Sequence, residues 1–339
     1  LNYSLKWALA NSLSLDYSSR AHSVVDEPDG DIDTQEKYDE VMDNVKNLGR
    51  LKNFDQNVGL TYRLPFDKFP FSDWINSDYR YTAGYSWAAG SLINPTEEDS
   101  IDLFFGHTIQ NNRTQGLTGK FDLVKLYNKV KVLKEVNSPP RRSTGKPSAA
   151  DTLKTISDIP LAKGLLRLLM SVRSINATYN ISEGTMLPGF NKGHFLLGMD
   201  SSFFSPGWDF VLGSQSPEIR TRASEKDWLV KNRLLTTPFS QTRTEDFSVR
   251  ATIEPFKDLK IQLDATKRKS MMYQEIYRYD SIGFDSGNNP IFDYNSLSPV
   301  SSGAYSISFF TLPTAFIKDG KNNQSEVFKD FEQNRLVIL

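Results

Sequence analysis

The stretch Tyr3–Tyr17, YSLKWALANSLSLDY, places Tyr3, Leu5, Trp7, Leu9, Asn11, Leu13, Leu15 and Tyr17 at odd positions. The even positions hold Ser4, Lys6, Ala8, Ala10, Ser12, Ser14 and Asp16. Successive side chains of a strand point to opposite faces, so this spacing predicts one ribbon with an apolar face and a polar face. A strand in an ordinary sandwich stops after about 5–6 residues. Here the alternation runs from position 3 to 17, only Asn11 interrupts the apolar row, and aromatics stand near both ends. That is the pattern of a membrane-spanning β-strand whose upper end stands out of the bilayer. A long half-buried strand of a soluble sheet fits the same stretch equally well, so the rest of the chain has to separate the two.

The chain has 339 residues, 38% of them hydrophobic, with 40 basic and 41 acidic side chains and no cysteine. Its mean hydropathy is -0.45. A hydrophilic average is expected when only alternate residues of a strand meet an apolar phase. A helical membrane protein is excluded, because the most apolar window, Ile159 to Val172, is broken by Lys163 and Arg167 and is shorter than the roughly 18 residues a spanning helix needs. The near-neutral charge points to no nucleic-acid partner. Without cysteine there is no disulfide frame, thiolate metal site or thiol nucleophile. The chain opens at Leu1 inside the strand pattern, without an initiator Met or signal peptide, which suggests a section of a longer protein.

After Tyr17 the acidic stretch from Asp26 to Arg50 predicts an excursion with a short helix near Thr34 to Leu48. Asp29, Asp31 and Asp33 alternate like the first half of a calcium loop, but Thr34 stands where the turn glycine belongs. A solvated acidic loop is the default there, and a calcium site stays open. Alternation returns at Val58–Leu64, then LPFDKFPFSDW (64–74) makes an aromatic turn, and Ile75–Ala88 forms a third strand with Tyr79, Tyr81, Ala83, Tyr85 and Trp87 on one face. A fourth strand is expected over His107–Leu123. The period then changes to 3.6 at Leu126, Tyr127, Val130, Leu133 and Val136, and a second helix is expected over Asp151–Met170. Strand pattern resumes at Arg173–Ser182. Residues 184–245 read as a long loop that either caps the structure or fills its lumen. A hairpin follows, Phe247–Ile253 and Leu259–Ala265, around Pro255–Asp258. A polar loop is expected from about Met271 to Ser302, then a strand at Ala304–Thr311 and a tail turning helical near Glu326–Asn334.

The organisation is therefore strands over 1–124, a helical insertion over 125–170, a strand over 171–183, the long segment 184–245, strands over 246–312, and a tail over 313–339. Long connections follow strands one, three, five and seven, tight turns follow two and six, and the helical insertion follows four. Long loops on one side and short turns on the other are the outer-membrane barrel pattern.

Catalytic patterns are missing. His22, His107 and His194 lie far apart in sequence without metal-ligand spacing. There is no GxxxxGK[ST] and no GxGxxG after a strand. The acidic neighbours Glu97/Glu98 and Asp26/Glu27 read as solubilising loop charge rather than glycosidase carboxylates. The expectation is a protein that is not an enzyme and needs no cofactor.

Several stretches together resemble the SprA/Sov family. They are VDEPDGDIDT near 25, DWIN at 73–76 followed by YTAGYSW, KLYNKVKVLKEVN at 125–137, GTMLPGF at 184–190, PGWDFVLGSQ at 206–215, ATIEPFKDLKIQLDATK at 251–267 and TAFIKDGKNNQSEVFKDFEQNR at 314–335. The resemblance runs over nearly the whole chain in consistent order. It implies a section of the outer-membrane translocon of the type IX secretion system of Bacteroidota, a system also linked to gliding motility. That translocon is a single-chain barrel of the largest class, about 36 strands, which passes folded cargo to the cell surface. The implied partners are exported cargo proteins, a plug protein, a PorV-type barrel and outer-membrane lipid.

The fold expected is thus mainly β, a section of a very large transmembrane antiparallel β-barrel with about eight strands here, a small helical insertion and long loops. Alternation assigns Leu5, Trp7, Leu9, Leu13, Leu15, Tyr79, Tyr81, Ala83, Tyr85, Trp87, Val249, Ile253, Ile261 and Leu263 to the lipid face. Lys6, Asp16, Arg63, Asp78, Arg80, Arg250, Lys260 and Asp264 would line the lumen. Two other readings stay open: a self-contained porin or receptor barrel for small solutes, and a secreted soluble β-rich binding protein.

Overall fold

Asn11, the one polar break in the apolar row, is where the chain turns back. In the computed structural model, which describes residues 1–90, 104–131, 133–134, 166, 168–256, 258–308 and 325–338, the expected single ribbon is a hairpin. Strand β1 (Asn2–Ala10) and β2 (Leu13–Val24) flank a turn at Asn11 and Ser12, both residues that favour turns over strand pairing. Leu5 faces Tyr17, Lys6 faces Asp16 and Trp7 faces Leu15. Because odd positions meet odd positions, the apolar and polar faces read from the sequence survive the fold-back, although one strand has become two.

Seven more strands follow: β3 (Arg50–Leu64), β4 (Ile75–Ala88), β5 (His107–Asp122), β6 (Val172–Phe190), β7 (Phe239–Phe256), β8 (Leu259–Phe284) and β9 (Pro290–Ile307). They form one nine-stranded antiparallel sheet in sequence order, β1 to β9, an uninterrupted meander. β1 and β9 do not pair with each other among the described residues, so the sheet is open at both edges. The polar loop expected over Met271–Ser302 is instead the continuation of two long strands joined at 285–289. Asp285 makes that turn, its carboxylate accepting from the backbone N–H of Gly287 and Asn289, both at 2.8 Å.

Register carries each face across the sheet. One row of the polar face runs Lys6, Asp16, Gly59, Thr82, Thr114, Ser182, Thr244, Ser270 and Ala304. The opposite face carries Leu13, Tyr62, Tyr79, Leu117, Tyr179 and Phe247 along one row, and Ile75, Phe121, Ile175, Ala251 and Leu263 along another. Hydrophobic alternation specifies this register, because a one-residue slip would reverse every side chain.

At one end of the sheet the connections are short except for the insertion after β5. They are 11–12, 65–74 with a 3-10 turn at Phe66–Lys68, and the chain from Phe256 to Leu259. The insertion begins with α2 (Leu123–Lys129), N-capped by Asp122, whose side chain accepts from the Lys125 N–H. Lys129 ties it to the β3–β4 turn through Asp73, at 2.5 Å, and the Pro70 carbonyl. The helix expected over Asp151–Met170 lies outside the described residues up to position 165. At the other end stand 25–49, 89–106 and 191–238. The first holds α1 (Gln35–Lys46), N-capped by Thr34. The tail contains α5 (Glu326–Ile338), as the sequence predicts. Three of the four expected long connections are thus present, moved by the extra strand to follow β2, β4 and β6, whereas the fourth, after β8, is the short turn at 285–289.

The hairpin can be tested by cross-linking, since the chain has no native cysteine. Lys6→Cys with Asp16→Cys should oxidise to an intramolecular disulfide, detected as one cross-linked peptide pair by mass spectrometry. As a single ribbon the two positions would stand about 33 Å apart, far beyond disulfide reach.

Candidate functional site

Two surfaces compete as the functional site, the polar face of the sheet and the lobe that covers part of the other face. On the polar face, charges meet across strands in opposite signs. Lys6 lies opposite Asp16 and Arg63 opposite Asp78. Arg250 lies opposite Asp264 with a 2.5 Å hydrogen bond, and Asp246 opposite Arg268 at 3.4 Å. Cross-strand pairs of this kind contribute roughly 0.2–1 kcal/mol each and neutralise the surface locally. Arg80 faces Thr61 and Gly116, and Lys260 continues the Gln262 and Asp264 side of β8. A shallow depression of about 310 Å³ lies among Lys6, Asp16, Asn57, Thr61, Arg80 and Thr82. Between the charges the face is mainly Ser, Thr, Asn and Gly, which carry little apolar surface for another molecule to grip.

The opposite face is divided. Its lower half is bare and apolar, with Leu5, Trp7, Leu117, Tyr179, Phe247, Ile261 and Leu263 all exposed. Aromatics border this half on both sides. Above lie Tyr62, Tyr79 and Tyr81, with Tyr179 and Phe247 in an edge-to-face pair at 6.4 Å. Below, Trp74 and Phe121 meet at 6.0 Å, near the exposed Phe69 and Phe71. From Trp74 to Tyr81 is seven residues of strand, about 23 Å.

The upper half is covered by the chain from 191 to 238. Here the sequence assignment needs correction. Ala83, Tyr85 and Trp87, expected on the lipid face, are 1%, 3% and 4% exposed beneath this lobe. The lobe packs on the face that carries the apolar rows, not on the polar face. Its core joins Phe210, Val211, Met199, Ile219, Ala223, Trp228 and Leu229 to Phe54, Tyr85, Trp87, Ile109, Leu187 and Phe239 of the sheet. Two short helices, α3 (Trp208–Val211) and α4 (Ile219–Glu225), turn these residues inward. Gly213, at φ +90, passes so close to the sheet that a Cβ there would lie 3.1 Å from that of Ala83.

Polar sheet residues under the lobe are satisfied by the lobe or by one another, which a covered face requires. Asn111 donates to the carbonyls of Phe210 and Ser214 and accepts from Gln215 at 3.0 Å. Thr185 donates to Gln215, and Gln241 donates to Thr185. The buried carboxylate of Glu183 takes Arg113 on one oxygen and Arg243 on the other. Glu275, fully enclosed, accepts from Tyr273, Ser296 and Arg220, and the Arg220 guanidinium also lies over the Phe239 and Tyr277 rings. Alternation could place these residues on a face; it carried no signal of what covers them.

Two of the three histidines have structural roles, while His22 is exposed on β2 opposite Asn53. His107 Nδ1 accepts from the Gly90 N–H at 3.0 Å, and its ring lies against Trp87. His194 stacks on Phe54 at 3.7 Å and accepts from the Gly198 N–H, and burial pushes its pKa down to about 4. No group of three or more His, Cys, Asp or Glu side chains is spaced to hold a metal among the described residues. In the acidic loop the carbonyls of Asp29 and Asp31 take the Lys37 ammonium at 3.1 and 2.9 Å, with the Asp33 carboxylate at 3.5 Å. Asp26 pairs with Arg50 through both carboxylate oxygens, and Arg50 holds its pKa below the usual carboxylate range. Glu97 and Glu98 lie outside the described residues.

No protein-family model matches the chain, and no curated protein matches it.

Arg220→Met should leave the enclosed Glu275 without its cation and loosen the lobe by about 3–5 kcal/mol, read as faster hydrogen exchange across 208–230. Lobe packing should also depend on pH through His194. Its folded pKa lies below the unfolded value of about 6.5, so the unfolded state binds the extra proton. The stabilisation is complete above about pH 6.5 and declines as pH falls toward 4. His194→Gln, which keeps an acceptor, should flatten that decline in an exchange-versus-pH series.

Proposed function

We propose that this chain forms a section of the wall of a large outer-membrane β-barrel that conducts exported proteins. The observation that carries the reading is the two-faced sheet. One face keeps an exposed apolar zone between two aromatic borders, and the other is a field of small polar side chains with charges paired across strands. An apolar expanse of this extent needs lipid or another apolar surface against it. Tyrosine and tryptophan at both margins suit the interfaces of a bilayer.

An open sheet edge does not persist within hydrocarbon, where every backbone polar group needs a partner. Since β1 and β9 leave such edges, the reading requires further strands beside both. This favours a larger barrel over a self-contained nine-stranded porin. A soluble sheet capped by the lobe is the rival reading. The lobe covers only the upper half, however, and leaves Leu117, Tyr179, Phe247 and Leu263 bare.

Conduction of proteins fits the chemistry of the polar face. Ser, Thr, Asn and Gly hydrogen-bond water and present no apolar patch, while paired charges offer cargo no field of one sign. Cargo of varied surface then slides along a hydrated wall without adhering to it. The sequence contains no nucleotide-binding motif, so in this reading the chain conducts passively and other components supply the driving force. The resemblance of seven ordered stretches to the SprA/Sov translocon supports the same function, with a plug and a PorV-type barrel as its partners.

Charge insertion tests the faces. Ala177→Arg and Val249→Arg, opposite each other mid-way between the aromatic borders of the apolar face, should each cost roughly 2–4 kcal/mol in a bilayer unfolding assay. Thr178→Arg and Ser248→Arg, their neighbours on the polar face, should cost far less. Equal costs on the two faces would contradict the assignment.

A further inference from the structure

The lower rim of the lobe continues the apolar zone of the sheet. Tyr81, at the upper margin of that zone, donates its hydroxyl to the Leu212 carbonyl at 2.5 Å. Leu212 N–H in turn donates to the Trp208 carbonyl at 2.9 Å, one helical turn away. Phe210 and Val211 on this turn face the sheet, while Trp208 and Leu212 are each 45% exposed. Trp208 stacks with Phe203 at 6.5 Å, and Phe203 meets Phe195 edge-to-face at 5.9 Å. Phe203 and Phe195 are 41% and 61% exposed. These rings make a continuous apolar strip that starts at the sheet and runs outward along the lobe.

The strip is held out rather than collapsed. Phe203 has φ 56, a left-handed conformation that a bulky residue adopts only when its surroundings impose it. The surroundings are a turn organised by Asp200. Its carboxylate accepts from the Ser202 hydroxyl and from the N–H groups of Phe204 and Ser205, and its carbonyl accepts from the Phe203 N–H at 3.0 Å. Burial alone would raise the Asp200 pKa, but these donors together favour its charged form and hold it below the usual carboxylate range, so the clamp stays set at neutral pH.

We propose that the strip Leu212, Trp208, Phe203 and Phe195 is a membrane-interface anchor, seated in the headgroup layer beside the apolar zone of the wall. The inference rests on the lipid-facing reading of that zone. The occupant follows from continuity: whatever covers Tyr81, Tyr179 and Phe247 meets Leu212 and Trp208 next, at the height where the bilayer becomes polar. Tryptophan suits that layer, with an apolar ring and one N–H donor. Anchoring there would fix how far the wall rises from the bilayer and stop the lobe from swinging.

Site-directed spin labels on the complete protein in phosphatidylethanolamine–phosphatidylglycerol vesicles test the anchor. Single cysteines replace Trp208 or Phe195 in the strip, Lys231 on the lobe, and Phe247 in the apolar zone. The expected result is that labels at 208 and 195 collide with oxygen severalfold more, relative to a water-soluble nickel chelate, than the label at 231, as does the label at 247. If 247 is deep but 208 and 195 behave like 231, the anchor is wrong and the wall stands. If 208 and 195 are shielded from both reagents while 247 is deep, a protein partner covers the strip, and the lipid anchor is again wrong. If 247 itself reports water, the membrane reading fails, and the anchor with it.

Discussion

Cross-strand register is the constraint on which the rest of the molecule depends. Nine strands pair in sequence order so that residues of each face meet residues of the same face, strand after strand. A slip of one residue in any strand would turn its apolar residues to the polar side. The same register pairs Arg250 with Asp264 and Arg63 with Asp78, so neutrality of the polar face follows from strand alignment rather than from added contacts.

The lobe depends on that register in a second way. It lies where the apolar face changes character, above Tyr81, and contributes half of a core whose other half is strand. Apolar burial between Phe210, Val211, Tyr85 and Trp87 provides the adhesion. Asn111, Thr185, Gln241 and Glu275 specify where the lobe docks, because each bonds a lobe residue and would be a costly buried polar group in any other position. Direct adhesion at the top and a bare apolar zone below give one sheet face two different environments within a single strand length.

Much of this was legible in the sequence, and the failures have physical causes. Alternation sorted residues onto the same two faces as the register does, even at Tyr3–Tyr17, where it missed the turn. Asn11 breaks the apolar row without disturbing its parity, so a hairpin and a straight ribbon give the same pattern. In β8 and β9 the run from Met271 to Ser302 is rich in Tyr, Asp, Ser and Asn on both faces. That composition resembles a loop, and only pairing between the two strands makes it sheet. Ala83, Tyr85 and Trp87 were placed on the right face but given the wrong neighbour, since period reports direction and not covering. The docking of 191–238 is carried by contacts far apart in the chain, such as Asn111 with Phe210 and Gln215, for which no local pattern exists. Thr34 was legible only in part: its departure from the calcium-loop pattern was visible, its service as the α1 N-cap was not.

The central claim is that this sheet is a section of a larger barrel wall with lipid on one face and water on the other. A cryo-EM map of the complete protein in lipid nanodiscs tests it directly. The account predicts that β1 and β9 each hydrogen-bond to a further strand, with the row Tyr62, Tyr79, Tyr179 and Phe247 against the bilayer and the row from Lys6 to Ser270 facing an aqueous channel. A map in which β1 pairs with β9, or in which both faces of the sheet stand in water, would contradict it.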